Sequence, residues 1–494
     1  MKSFIIVSAP RSGSTSLCRI LNSASDLNVA SEPSPGLHEI CRACWDGDSA
    51  EKYEEVLRDT IIKRLNVTQS GIVYGEKNVT YGPFIPLLSK LVDCVFVYLY
   101  RDGREVVTSL MNWHNNQFGT IYREAGIEDG VTDVAIKNSF GLEIQNDLSD
   151  FARPRPSNDE MTWEEWASLS RFEMCCYYWG HCNAELLDNC RQIDDSRYYQ
   201  IDYSTVSSKE VSKVFDFLGS AGIPSDLTEE LLDKKINSLG DRGFSEEQLF
   251  SNWMNWSSNK RRQFEKWCGS TMKSLNYWSD SAVNWRPSKY GEVWIKQFGA
   301  DVSWFEWMYQ GRELAHKDLK AFYYERKRGG DQISSVCDVG CGLSVGYHDF
   351  FKDLRYTGVD LVEENIKWCQ KNRDNPNHSY LCRDVISEEL NEKYDLVFSQ
   401  GTIDNCYDVN GFIEALVMSS NKWVYITACR GWFPSLKNHS YNWNSKDGCF
   451  YNDVSPTEIE TTLKSLGCKN IQIDPLKVRS DGTGYETRII ASVC

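Results

Sequence analysis

Two segments constrain the fold of this chain most, because in each one a strand, a glycine-containing loop and a helix follow one another. In the first, the apolar residues 4–7 precede a turn-forming stretch over 8–15, and apolar residues then recur at helical spacing over 16–21. In the second, residues 335–339 lead through the loop 340–346 into another helical stretch. Each segment is typical of the first β–α step of an α/β domain. We therefore predict two doubly wound parallel-sheet domains in series.

The spacing of these two segments sets the predicted domain boundaries. The chain has 494 residues, which suits two or three domains. Residues 1–280 are predicted to form the first domain and residues 331–494 the second. Residues 281–330 read as a helical connector or cap, whose last helix is expected to end at Gly329 and Gly330.

Charge and composition narrow the classes of partner. The formal net charge is −16, which argues against a broad electrostatic contact with nucleic acid. No apolar run approaches the ~18–20 residues that a membrane span needs. The 18 cysteines are scattered, which favours reduced thiols in a cytoplasmic protein over disulfides or a zinc site. We predict a cytoplasmic enzyme with no nucleic-acid partner, no membrane span and no metal, and the oligomeric state is left open.

Acidic residues lie near the ends of the predicted strands around the second glycine loop. Asp338, Gly340 and Gly342 lie where the first strand turns, and the glycines let the backbone approach a ligand closely. Asp360 ends the next predicted strand, about 20 residues after the glycines, where a ribose hydroxyl pair is bound in this class of fold. Asp384 follows a third strand. A fourth strand is predicted over 393–400 and a fifth over 423–427.

This ordered series resembles the class I methyltransferases, which use S-adenosylmethionine (SAM). The resemblance implies contacts from Asp338, Gly340 and Gly342 to the amino-acid end of SAM, from Asp360 to the ribose hydroxyls, from Asp384 to the adenine, and from Ser399 and Gln400 to the sulfonium side. A dinucleotide-binding domain is the rival. That domain expects G-x-G-x-x-G, whereas Val345 occupies the last position here.

The methyl acceptor is not defined by the sequence. Methyl transfer depends on positioning and, for a hydroxyl acceptor, on a base. Asp404, Tyr407 and His439 are candidates because they follow predicted strand ends. Methylation of oxygen and of nitrogen both remain open.

The first glycine loop has the parts of a phosphate-binding site. It does not match G-x-x-x-x-G-K-[ST], but it offers a flexible glycine, hydroxyl groups, a fixed positive charge and a helix N-terminus. The loop residues are Arg11, Ser12, Gly13, Ser14 and Thr15. The apolar strand 94–100 is followed directly by Arg101, and Ser109 lies two turns along the next helix. Arg101 and Ser109 can therefore converge on one phosphate.

Together these motifs resemble the carbohydrate-type sulfotransferases, which use 3′-phosphoadenosine 5′-phosphosulfate (PAPS). The resemblance covers about residues 1–280 and is strongest at the start. It implies a P-loop-like fold in which the five residues of the loop 11–15 hold the 5′-phosphosulfate. It also implies that Arg101 and Ser109 hold the 3′-phosphate.

The same resemblance implies catalytic roles for three residues. Arg11 would hold the oxygens of the transferred group, at a position where many members carry lysine. Glu32 would take the proton from the acceptor hydroxyl, with His38 and Glu39 as rivals for that role. Lys77 would neutralise charge near the leaving group.

We predict a bifunctional enzyme that sulfates a saccharide or small metabolite and methylates the same or a related acceptor. One alternative makes the first domain a P-loop kinase or another nucleotide-binding phosphotransferase. Another makes one of the two domains a non-catalytic binding module.

Overall fold

The computed structural model describes residues 2–67, 71–116, 153–157, 159–234, 249–279, 283–430, 433–477 and 486–493. The chain divides into two compact units, namely Met1–Trp253 with Arg262–Asp280, and Met254–Arg261 with Ser281–Cys494. The residues predicted to form a connector thus belong to the second unit. Within the stretches just given, no helix is both long and apolar enough to cross a bilayer.

The first unit is built on a five-stranded sheet in which every pair of neighbours is parallel. Its strands are β1 Ser3–Ser8, β2 Leu27–Ser31, β3 Val73–Lys77, β4 Cys94–Tyr100 and β5 Tyr198–Asp202. They lie in the order β2-β3-β1-β4-β5. The central strands β1 and β4 are almost wholly buried, which explains their continuous apolar sequences. Successive strands lie on opposite sides of β1, so the loop after β1 is at a topological switch point, where α/β sheets bind ligands.

Helices cover the sheet of the first unit. Their starts follow local signals: Arg171–Cys190 begins with a capping box in which Ser170 and Glu173 each bind the other's backbone N–H. The α-helices are Ser14–Leu21, His38–Trp45, Glu54–Leu57, Lys63–Leu65, Ile85–Leu91, Gly103–Asn116, Trp163–Ser168, Arg171–Cys190, Ser208–Leu218 and Ser225–Asp233. Short 3-10 or π turns lie at Ala50–Tyr53, Arg58–Ile62, Gly82–Phe84, Asp195–Arg197 and Trp253–Asn255. The helix Ser258–Ser274 is divided between the units at Arg261.

The second unit contains a seven-stranded sheet. Its strands are β6 Ser335–Val339, β7 Arg355–Asp360, β8 His378–Cys382, β9 Tyr394–Gln400, β10 Ser420–Ala428, β13 Lys469–Pro475 and β14 Thr487–Ser492, and a separate hairpin pairs β11 Trp443–Asn444 with β12 Cys449–Phe450. The sheet order is β13-β14-β10-β9-β6-β7-β8. The strands β6 to β10 pair in parallel, which places their carboxyl ends at one edge of the sheet.

The last strand departs from the predicted all-parallel sheet. Strand β14 is antiparallel to both of its neighbours, β10 and β13. Only residues 476–486 join β13 to β14, and a connection that short suits an antiparallel pair, because a parallel pair needs a crossover of about a dozen or more residues. The α/β class with parallel strands is confirmed in both units, with this exception. A P-loop sulfotransferase fold for the first unit stays a prediction.

Helices of the second unit pack on both the sheet and the glycine loop. They are Glu292–Lys296, Val302–Gly311, Glu313–Arg328, Tyr347–Phe350, Glu363–Asn372, Val409–Met418 and Pro456–Ser465, with a 3-10 turn at Ile403–Asn405. We call Val302–Gly311 and Glu313–Arg328 the cap helices. The second of them contributes Leu319, Phe322 and Tyr323 to the hydrophobic core beneath the sheet. The predicted connector is therefore part of the core of the second unit.

Candidate cofactor sites

The loop after β6 folds back onto the end of β7. The N–H of Gly340 donates to the carbonyl of Val359 over 2.8 Å, and the N–H of Gly342 donates to Asp360 Oδ2 over 2.9 Å. Both glycines have positive φ, 79° and 52°, which side chains disfavour. The loop therefore brings Asp360, predicted from its spacing, directly beside the glycines.

Two carboxyl groups, the buried Asp338 and the half-buried Asp360, can attract a cation to this loop. Asp338 is only 3% exposed, and its Oδ2 accepts a hydrogen bond from the Tyr356 hydroxyl at 2.7 Å. The pKa of Asp338 is raised to about 7, mainly by burial and also by the charge of Asp360, although the hydrogen bond from the Tyr356 hydroxyl acts to lower it. Burial also raises the pKa of Asp360, while the N–H groups of Val362 and Gly342 lower it. A cation bound between the two carboxyl groups would favour their ionised forms.

Asp384 lies at the same edge of the sheet, after β8. Its Oδ2 accepts hydrogen bonds from Arg286 Nη1 and from the Tyr407 hydroxyl, each at 3.0 Å. Its Oδ1 accepts from the N–H of Ile386 at 3.2 Å. These contacts fix the orientation of the carboxylate.

A cavity of about 250 Å³ unites most of the predicted cofactor-binding residues of the second unit. Its lining includes Asp338, Gly340, Gly342, Asp360, Asp384 and Gln400. Ser399, predicted to face the sulfonium side, does not line it. The Ser399 side chain is fully buried, and its Oγ has no hydrogen-bond partner among the described residues.

One wall of the cavity is aromatic, and no specific sequence signal predicted it. The residues before and within the first cap helix that line the cavity include Trp294, Phe298, Trp304, Phe305, Met308 and Tyr309. A Cβ at Gly342 would lie 2.1 Å from the Phe305 ring, and one at Gly346 would lie 2.2 Å from the Tyr309 ring. The loop glycines are thus required for the close approach of the cap helix as well as for the turn.

A second group that the sequence did not reveal lies where the cap meets the end of β9. His316 lines the cavity, and its Nδ1 contacts the hydroxyl of Tyr347. That hydroxyl also lies 2.7 Å from Gln400 Oε1. Arg312 completes this end of the cavity, where its Nε donates to Glu486 Oε1 over 3.2 Å.

The three candidates for a base in methyl transfer lie outside the cavity lining. Asp404 is buried, and its Oδ1 accepts from the N–H of Cys429. The Tyr407 hydroxyl donates a hydrogen bond to Asp384 Oδ2. His439 is fully buried, and its Nδ1 accepts from the N–H of Ser455. Their hydrogen bonds are those of structural residues.

In the first unit, the candidate residues gather at the carboxyl edge of the sheet. Arg11 Nε donates to Ser109 Oγ over 2.9 Å, which joins the loop after β1 to the helix after β4. Gly13 has a φ of 95°, and a Cβ there would lie 2.5 Å from the ring of Tyr203. Tyr203 follows β5 and was not singled out from the sequence, although its ring also lies 5.8 Å from the Arg101 guanidinium.

The other hydroxyl residues of this loop differ in exposure. Ser12 and Ser14 are buried, and Ser12 Oγ has no hydrogen-bond partner within the described part of the chain. Thr15 is exposed at the start of the helix. The loop thus presents hydroxyl groups on both its buried and its solvent side.

Two predicted catalytic residues meet directly, namely Glu32, which follows β2, and Lys77, the last residue of β3. Lys77 Nζ lies 2.5 Å from Glu32 Oε1, with the lysine side chain buried and the glutamate 42% exposed. Arg101 forms an ion pair with Glu105 at 2.6 Å. The structure therefore groups Arg11 with Ser109 and Glu32 with Lys77, and the convergence of Arg101 and Ser109 on one phosphate stays a prediction.

Comparison with known proteins identifies the second unit. A family model described as "Methyltransferase domain" matches residues 331–467. This region is a methyltransferase domain. Among curated proteins, a malonyl-[acyl-carrier protein] O-methyltransferase from Acetivibrio thermocellus is 35% identical over 87 residues, which are 17% of this chain and 31% of that protein.

Solved structures of methyltransferases are also similar. The magnesium protoporphyrin IX methyltransferase from Synechocystis PCC 6803, with bound SAM, is 14% identical, with a TM-score of 0.29 over 44% of this chain and 100% of that one. The N-methyltransferase NodS from Bradyrhizobium japonicum WM9, with bound S-adenosyl-L-homocysteine (SAH), is 10% identical, with a TM-score of 0.30 over 42% of this chain and 99% of that one. The sulfotransferase assignment of the first unit stays a prediction.

Proposed function

We propose that the second unit transfers a methyl group from SAM to a small-molecule acceptor. The observation that carries this proposal is the coincidence of the family match at residues 331–467 with one cavity lined by the glycine loop, Asp360 and Asp384. The carboxylates that line the cavity fit SAM. They can accept hydrogen bonds from its ribose hydroxyls, and they attract its ammonium and sulfonium charges.

The residues of the cavity would mainly bind and orient. SAM, when bound, supplies a methyl group activated by the positive sulfur. Asp360 would hold the ribose hydroxyls, Asp384 would lie by the adenine, and Asp338 would lie near the amino-acid end. The aromatic wall would exclude water and fix the acceptor in line, which is how such a transfer is accelerated.

Calorimetry with SAH tests this proposal on the intact protein. We expect one site on the second unit, weakened about 10- to 100-fold in Asp360→Ala because a hydrogen bond to a charged group is lost. Asp374→Ala is the matched control, since Asp374 is an exposed aspartate of the same unit and should not affect binding. An absence of SAH binding to the wild-type protein would overturn the proposal.

We further propose that the first unit is a PAPS-dependent sulfotransferase. This proposal is supported by the contacts Arg11–Ser109 and Glu32–Lys77, which join four candidate residues from separate segments at one edge of a parallel sheet. A guanidinium and a hydroxyl group in contact provide donors for phosphate oxygens. The proposal needs no metal.

The roles follow from the charges. Arg11 and the loop N–H groups would stabilise the negative charge on the transferred and departing oxygens. Glu32 would take the proton of the acceptor hydroxyl, contributing about 10²–10⁴-fold to the rate. Lys77 would hold Glu32 in place through their ion pair, and could turn to the leaving group.

Binding of 3′-phosphoadenosine 5′-phosphate, compared with ATP, tests the second proposal. We expect the bisphosphate to bind and Arg11→Ala to abolish its binding. Arg19→Ala is the control, because Arg19 is an exposed arginine on the following helix. Binding of ATP in preference would favour a kinase-like nucleotide site, and binding of neither would favour a non-catalytic module.

The two activities together define a bifunctional enzyme that decorates one acceptor or two related ones. A saccharide or a small hydroxylated metabolite would suit both transfers. Supplying PAPS and radiolabelled SAM with such acceptors and separating the products would show whether one molecule receives both groups.

A further inference from the structure

The strongest unexplained feature of the methyltransferase cavity is the side chain of His316. It is 7% exposed and lines the cavity. Its Nε2 has no hydrogen-bond partner in the part of the chain that the structure describes. A buried nitrogen without a partner in a cavity wall is costly unless a ligand supplies one.

A chain of hydrogen bonds fixes which imidazole nitrogen carries the proton. Gln400 Nε2 donates to the carbonyl of Ala315 over 3.2 Å, which orients the amide. Gln400 Oε1 then accepts from the Tyr347 hydroxyl over 2.7 Å. Because that hydroxyl proton is used, the Tyr347 oxygen accepts from His316 Nδ1. The proton therefore sits on Nδ1, and Nε2 keeps its lone pair.

The surroundings also keep this imidazole neutral. The pKa of His316 is lowered to about 3, mainly by burial and also by the nearby cations Arg312 and Lys320. The side chain of Gln400 and the carbonyl of Tyr309 act in the opposite direction but are weaker. The ring of Tyr309 stacks on the imidazole with 4.0 Å between centroids. His316 thus offers an unprotonated Nε2 at neutral pH.

We propose that the methyl acceptor is a hydroxyl compound and that His316 Nε2 accepts its proton during the transfer. This inference rests on the proposed methyltransferase function. The acceptor oxygen forms a bond to the methyl carbon, the bond from that carbon to sulfur breaks with its electron pair on sulfur, and the hydroxyl proton moves to Nε2. Solvent then removes the proton from the imidazolium.

An imidazole nitrogen free to accept a proton favours oxygen over nitrogen as the acceptor, because a hydroxyl group must lose its proton in the transfer. A hydroxyl oxygen that gains a methyl group becomes a protonated ether, a far stronger acid than imidazolium, so even a weak base removes its proton. An amine attacks through its own lone pair, and its methylated product can leave as an ammonium ion, so this transfer needs no base in the cavity. Proton acceptance also leaves the net charge of the cavity unchanged, because the sulfonium charge disappears as the imidazolium forms.

The tautomer can be tested without knowing the acceptor. In protein labelled with ring-¹⁵N histidine, the His316 signals are assigned by their loss in His316→Asn, one of seven histidines. At about pH 7, with SAH bound, we expect a protonated Nδ1 and an unprotonated Nε2. Adding 4-nitrophenol should shift the Nε2 signal, whereas 4-nitroanisole, which lacks the hydroxyl, should not. A proton on Nε2, or equal effects of the two compounds, would overturn the inference.

Turnover provides the second readout. His316→Asn is chosen because its amide nitrogen can replace Nδ1 at Tyr347 while Nε2 is lost. With radiolabelled SAM and a panel of phenols, sugars and amines, we expect kcat to fall about 10²–10⁴-fold in this variant, with SAH affinity within about threefold of wild type. Methylation confined to amines, or an unchanged kcat, would refute the role of His316. Failure of SAH to bind the wild-type protein would instead refute the proposed function.

Discussion

At the scale of single residues, the buried carboxyl group of Asp338 makes the stability of the second unit depend on pH. Its pKa is near 3.9 in an unfolded chain and about 7 in the folded one. The folded state therefore binds the proton more tightly, so this contribution to stability is complete below about pH 4 and is lost as the pH rises through about 7.

Asp338→Asn measures that contribution. The amide oxygen can still accept from Tyr356, and the group no longer titrates. We expect the free energy of unfolding of the wild-type protein to fall from about pH 4 to 7 more steeply than that of the variant, as measured by urea denaturation. His316 contributes with the opposite sign, since its lowered pKa removes stability as the pH falls below about 6.5. Identical pH profiles for the two proteins would contradict the burial of an uncharged Asp338.

At the same scale, two neighbouring residues show that the sequence does not predict which side chain at a strand end faces the cavity. Ser399 and Gln400 were both expected to face the sulfonium side, but only Gln400 lines the cavity. Successive residues of a strand point to opposite faces, so the distinction depends on where β9 ends, and motif spacing does not resolve one residue. The sequence could point to five residues that line this cavity because each lies at or near the end of a strand, namely Asp338, Gly340, Gly342, Asp360 and Asp384.

At the scale of elements, the first cap helix and the glycine loop pack so closely that each restricts which side chains the other can carry. Gly342 and Gly467 both have positive φ, but only at Gly342 would a Cβ strike a side chain, that of Phe305. Gly467→Ala should cost about 1–2 kcal/mol from backbone strain alone. Gly342→Ala should cost more, and it should also weaken SAH binding.

Adding Phe305→Ala to Gly342→Ala tests the contact itself. If the two positions press on each other, the double variant should be more stable than the sum of single effects predicts, by about 0.5–3 kcal/mol in the free energy of unfolding. Additive effects would mean that the loop relaxes without the help of the cap helix.

The arrangement of the elements also explains which structural features could not be predicted from the sequence. The strand–loop–helix beginnings of both units were predicted because their signals are local. The position of β14 and the pairing of Arg11 with Ser109 depend on contacts between distant segments. The aromatic wall was missed for the same reason, since tryptophan and phenylalanine in a helical stretch are equally typical of an ordinary core.

At the scale of the whole molecule, two sheets with separate hydrophobic cores should respond separately to their ligands. One core contains Phe4, Val97 and Leu99, and the other contains Leu319, Val336 and Phe398. A ligand that binds only the folded form stabilises it by about 2.7 kcal/mol at a hundredfold excess over Kd. SAH should therefore stabilise the second unit and the bisphosphate the first.

Differential scanning calorimetry of the intact chain can separate these effects. We expect SAH to raise the temperature of one transition and 3′-phosphoadenosine 5′-phosphate to raise that of another, with Asp360→Ala abolishing only the first shift and Arg11→Ala only the second. Each variant thus serves as the folding control for the other. A single transition raised by either ligand would mean that the two units unfold as one, and the ligand sites would then be energetically coupled through the chain.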